Sequence, residues 1–158
     1  EIRSQLKEST PLPNINTEAE DILNRTHRLI ANGRELDHDD KIPIPIAVTF
    51  SKFDAVEHLV RHMYMLNAGS QHRGGFDELD FSRNNREMTR LLEQEWGGEY
   101  LSQQVRTRFA RFGFFGVSAL GCNPHATNRI PEVQPNRVED PFLWLLWERG
   151  LIDTARSR

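Results

Sequence analysis

Along this chain, apolar positions recur at helical spacing in some stretches and run together in others, and the two patterns alternate. Thr17 with Glu20 three positions later is a capping box, and it opens a predicted helix with Ala19, Ile22, Leu23, Thr26, Leu29 and Ile30 on one face and Gly33 as its exit. Ile42 to Phe50 is a continuous apolar run rich in β-branched residues. Its length fits a buried strand, with Pro43 and Pro45 confined to the start, where ladder donors matter least. A second helix is expected to bury Val56, Leu59, Val60, Met63 and Leu66. Ala68 to Arg83 is polar and glycine-bearing and predicts a loop. Asn84 with Glu87 is another capping box, opening a helix that carries Met88, Leu91, Leu92 and Trp96 and stops at Gly97-Gly98.

A short amphipathic segment through Tyr100, Leu101 and Val105 leads into the aromatic run Arg108 to Val117, whose second half predicts another buried strand. Gly121 to Val138 predicts a loop. Asp140-Pro141 predicts a final helix, with Asp140 as cap and Phe142, Leu143, Leu146 and Trp147 facing the core. Helix and strand in alternation argue for a parallel sheet covered by helices, with both strands ending at one edge. That edge is where open α/β sheets bind ligands.

Composition narrows the functions such a scaffold serves. The 158 residues fit one domain, with residues 1–16 as a polar lead-in and 17–158 as the folded part. Glu1 in place of Met suggests a trimmed chain or a fragment, although processing could give the same start. A net charge of -3, from 20 Lys+Arg against 23 Asp+Glu, lacks the basic footprint of a nucleic-acid binder or of a protein that docks on anionic membrane. A single cysteine, Cys122, offers no intramolecular disulfide and no Cys-x-x-Cys metal site, and suits a cytoplasmic setting. No apolar stretch approaches transmembrane length.

Both apolar runs end in polar motifs: Ser51-Lys52-Phe53-Asp54 after the first and Ser118-Ala119-Leu120 after the second. A strand closing on Ser/Asn/Thr-Lys-x-Asp, followed by a strand closing on Ser-Ala, resembles the C-terminal, guanine-recognising half of a bacterial P-loop GTPase of the TRAFAC type. The resemblance covers about residues 43–153, with a helical insertion at about 68–107. It implies an α/β fold, part of a doubly wound parallel sheet with flanking helices, P-loop NTPase-like and incomplete.

It also implies GTP or GDP as ligand. Asp54 would accept two hydrogen bonds from the guanine ring, a donor pair that adenine lacks, and Lys52 would lay its stem over the base. Ser51 stands where the family more often has Asn or Thr. Ser118 and Ala119 match the motif that brings a backbone amide to the guanine carbonyl, with Leu120 and Gly121 completing the turn. The phosphate-binding motif G-x-x-x-x-G-K-[ST] is absent, because none of the three lysines, Lys7, Lys41 and Lys52, is followed by Ser or Thr. No aspartate is followed three positions later by glycine either. Hydrolysis and Mg2+ binding would therefore need an upstream segment of the domain or a protein partner.

Other constellations carry less. Gly116-Val117-Ser118 begins a nucleophile elbow, but Leu120 stands where the second glycine belongs. His58 and His62 have metal-ligand spacing yet lie off the apolar face, and Cys122 and His125 lack further ligands nearby. Trp144 and Trp147 suit core or interface packing. The alternative function is a non-enzymatic protein-interaction module on a degenerate GTPase-like scaffold.

Overall fold

The computed structural model describes residues 19–37, 40–56, 59–121 and 133–155. Their centre is a two-stranded parallel sheet, β1 (Ile46–Phe50) beside β2 (Phe112–Gly116), in the register Ile46 to Phe112 through Phe50 to Gly116. Helices flank it: α1 (Ala19–Arg34), the short α2 (Tyr64–Asn67), α3 (Glu78–Arg90), α4 (Glu99–Arg108) and α5 (Asp140–Glu148). Mixed α/β architecture with a parallel sheet is thus present.

Both faces of the sheet are covered, which explains why β2 carries phenylalanines on both faces rather than alternating apolar with polar residues. Phe114 points into a cluster with Leu23 of α1, Met88 of α3 and Val105 of α4. Phe115, on the opposite face, joins Phe76 and Trp144, with the Phe81 ring stacked on both Phe115 and Trp144 at centroid distances of 5.6 and 5.7 Å. The ladder directs Ile46 N–H to Arg111 O and Val117 N–H to Phe50 O, so the main-chain groups of Ala47 and Thr49 face away from β2. The outer edge of β2 is blocked by a side chain from α3, because Asn85 Oδ1 accepts the Phe114 N–H at 2.8 Å. No described residue pairs with the outer edge of β1 as a strand.

Several sequence expectations need correction. The first strand is shorter than Ile42 to Phe50; Ile42 makes only an isolated bridge to Phe109, because the prolines at 43 and 45 bring no amide to the ladder. In α1 the exit is Glu35, at φ 52°, with Gly33 inside the helix, and Ile22 and Leu29 are exposed. Thr17 lies outside the described residues.

The helix expected over Val56 to Leu66 is not continuous. Val56, Val60, Met63 and Leu66 are buried as expected, but Leu59 N–H bonds Val56 O and Met63 N–H bonds Val60 O, the three-residue closure of tight turns. The Asn67 amide donates to both Val60 O and Met63 O at 2.8 and 2.7 Å, satisfying carbonyls that a continued helix would have used.

The capping box at Asn84 and Glu87 caps a different helix from the one it appears to open. Asp77 is the true cap of α3, accepting from Leu79 and Asp80 N–H, while Asn84 and Glu87 sit inside α3. Glu87 Oε2 accepts the Met65 and Leu66 N–H groups of α2 and Asn84 donates to Met65 O. Past α3 the helix widens by one residue, with Trp96 N–H reaching Leu91 O, before it stops at Gly97 and Gly98 as expected. Asp140 is the first residue of α5 rather than its cap. Phe142 is exposed, and Trp144 takes the buried place.

Candidate functional site

Because β1 and β2 are parallel neighbours, the loops that follow them emerge at the same end of the sheet. Val117 N–H bonds Phe50 O at 2.9 Å and Phe53 N–H bonds Val117 O at 3.0 Å, which continues the pairing past the strands and seats the two loops together. Lys52 turns the chain through a left-handed conformation, φ 58° and ψ 39°, unusual for a residue with a side chain and a mark of local strain at sites. The turn drops Phe53 into the core against the end of β2. Gly116 makes that possible, since a Cβ there would lie 2.6 Å from the Phe53 ring.

Asp54 follows, and its carboxylate meets the second loop. Ser118 Oγ donates to Asp54 Oδ1 at 2.5 Å and accepts the Gly121 N–H at 2.9 Å. A short hydroxyl-to-carboxylate bond is among the stronger neutral-to-charged hydrogen bonds, about 1.5–3 kcal/mol. Among the described residues, Asp54 makes no further hydrogen bond. A third segment closes the arrangement: Ser118 and Asn136 exchange both main-chain hydrogen bonds, at 3.0 and 2.8 Å, and Gln134 N–H bonds Leu120 O at 3.0 Å. Gly121 needs its glycine, having φ 68° and the Gln134 carbonyl 2.0 Å from where a Cβ would stand.

These segments enclose a cleft of about 270 Å³ lined by Phe53, Asp54, Leu66, Asn67, Ser118, Gly121 and residues 134–136. Its size lies just under the roughly 300–1,000 Å³ of pockets for drug-sized ligands. It suits a group the size of a heterocyclic base. Of the residues singled out in the sequence, Asp54 and Ser118 line it. Lys52 and Ala119 are exposed beside it, and Leu120 joins through its carbonyl. Ser51 is exposed, with no side-chain hydrogen bond to a described residue. Asn67 and Asn136 line the cleft and were not anticipated; neither belongs to a motif.

A second polar cluster lies behind the cleft. The Arg137 guanidinium bonds both oxygens of Asp80, at 2.8 and 3.0 Å, and Asp140 Oδ2 at 2.7 Å, all with side chains at most 6% exposed. Burial lifts the Asp140 carboxyl above the ordinary range, against the opposing pull of Arg137. Burial on its own would lower Arg137, but its hydrogen bonds to Asp80 and Asp140 outweigh that and hold it above its usual value.

His72, Asp80 and Asp140 each bring a potential metal-ligand atom within 4.8 Å of the others. The donor set nevertheless does not fit a metal. The Asp77 N–H donates to His72 Nδ1 at 2.9 Å, which leaves the ring proton on Nε2, the atom that would have to ligate, and Arg137 already occupies the carboxylates. His72 Nε2 lies 3.7 Å from Asp140 Oδ1, beyond hydrogen-bond distance. His62 faces outward beside Glu95, as its spacing suggested. His58, Cys122 and His125 lie outside the described residues. No helix among the described residues is long and apolar enough to cross a membrane.

No protein-family model, curated protein or solved structure matches this chain.

Proposed function

We propose that this chain supplies the base-recognition half of a guanine-nucleotide-binding, GTPase-like domain. The observation that carries the reading is the Ser118–Asp54 hydrogen bond: it holds one carboxylate oxygen, and no described residue bonds the other, at the shared carboxyl end of two adjacent parallel strands. A carboxylate so fixed accepts the paired N–H groups of guanine, and adenine cannot supply them. The exposed Ala119, next to Ser118 in the second loop, supports the same reading. Lys52, exposed on the left-handed turn, is near enough in sequence to cover the base with its stem.

In this reading GTP or GDP is the ligand, and phosphate anchoring, Mg2+ and hydrolysis belong to a segment whose motif this sequence lacks. The chain by itself releases no phosphate from GTP above a protein-free control. The deciding experiment is a nuclear magnetic resonance titration with nucleosides. Guanosine is expected to shift the amides of Asp54 and Ala119 while adenosine leaves them in place, and Asp54→Asn to exchange that preference for xanthosine, whose ring carbonyl an asparagine amide can reach. Equal shifts from guanosine and adenosine, or none from guanosine, overturn the proposal.

A second reading, a non-enzymatic interaction module on the same scaffold, is favoured by one observation. Ile22 and Leu29 are exposed on one face of α1, two turns apart, at 57% and 66%, beside Arg25 and Arg28. A partner that protects α1 from hydrogen exchange while leaving Asp54 untouched would support it.

A further inference from the structure

The cleft has two walls from distant parts of the chain, residues 66–67 on one side and 134–136 on the other, and one side chain touches the roots of both. Arg137 immediately follows the second wall. Its Nε donates to Ala68 O at 2.8 Å and its Nη2 to Gly69 O at 3.3 Å, the two carbonyls that follow the first wall. The remaining donors go to Asp80 and Asp140, so every N–H of the guanidinium is used. The main chain of Arg137 is itself held left-handed, at φ 54°, between the Ser118–Asn136 bridge and the start of α5, where Asp140 N–H bonds Arg137 O at 3.2 Å. A residue with a side chain keeps that conformation only where its surroundings impose it.

We infer that Arg137 is a positioning residue that staples the two walls of the cleft and thereby holds Ser118 against Asp54. The route is short: the guanidinium fixes Arg137, Arg137 fixes Asn136, and Asn136 pairs with Ser118 on both main-chain hydrogen bonds. Lysine cannot replace it, because a point ammonium has neither the planar fork for Asp80 nor enough donors for the two carbonyls. The role holds whatever the cleft binds.

Amide hydrogen exchange on the purified chain tests the inference without a ligand. In Arg137→Lys the amides of Ser118 and Asn136 are expected to exchange about tenfold faster or more, while ladder amides such as Val48 stay within about twofold of the parent, the signature of a local opening. Unchanged exchange at Ser118 and Asn136 would overturn the assignment. So would acceleration of all amides by one common factor, since that is what a purely global contribution to stability produces. Should Arg137→Lys not fold, Asp80→Asn, which breaks the bidentate pair and leaves the arginine in place, is read by the same criteria.

Discussion

Ser118 and Asp54 stand 64 positions apart and are joined by a 2.5 Å hydrogen bond, with the Ser118 hydroxyl as donor. The same oxygen accepts the Gly121 amide, so a single hydroxyl both folds its own loop and orients the carboxylate of the other. Two strand ends become one site through it.

Replacing Ser118 by Ala removes the donor to Asp54 and the acceptor for Gly121 together. The expected loss of stability is about 1.5–3 kcal/mol, the range for a hydrogen bond to a charged group. Urea denaturation of parent and variant measures it. In the nucleoside titration the same change is expected to weaken the preference for guanosine, because Asp54 is no longer held. A variant with parental stability and parental preference would show that the contact does neither.

Asp140 makes stability depend on pH in a definite direction. In an unstructured chain an aspartate titrates near 3.8, and in the fold burial raises Asp140 above that. Between the two values the folded chain binds more protons than the unfolded one, so the contribution of this group falls as pH rises through that window. Urea midpoints across acidic pH are expected to show the component in the parent and to lack it in Asp140→Asn, which cannot titrate. An identical pH profile in both would remove Asp140 as its source.

The outer edge of β1 presents the main-chain groups of Ala47 and Thr49 with no strand beside them among the described residues, while β2 is blocked by Asn85. Open apolar edges recruit other strands. The purified chain is expected to self-associate in sedimentation velocity, and Thr49→Lys, a charge placed at an exposed edge position, to shift it toward monomer. A parent that stays monomeric at all concentrations would show that this edge recruits nothing.

Much of the scaffold was legible in the sequence because it depends on local pattern. The apolar runs ending at Phe50 and Val117 announced strands, since neither could be left in water and both were too short for buried helices. Their alternation with amphipathic stretches announced parallel pairing, and with it the meeting of Asp54 and Ser118 at one end. The capping signals at Asn84 and Glu87 were real hydrogen-bonding capacity assigned to the wrong partner. Spacing along the chain cannot say that α2, folded back across α3, needs those groups more than α3 does.

What the tertiary structure alone decided lies where residues distant in sequence compete for the same polar groups. Asn67 took the Val60 and Met63 carbonyls that a continuous helix would have used, and Asn85 closed a sheet edge by taking an amide. The buried cluster of Arg137, Asp80 and Asp140 has no signature in sequence, because single charged residues in polar stretches look solvated until the fold removes the water around them. The sequence by itself determined which segments must be buried and which strand ends carry polar chemistry, since hydrophobic period and residue type are local properties. Which polar atoms meet, and so where the cleft forms and what holds its walls, waited on packing, because a hydrogen bond between distant residues exists only after the chain has brought them together.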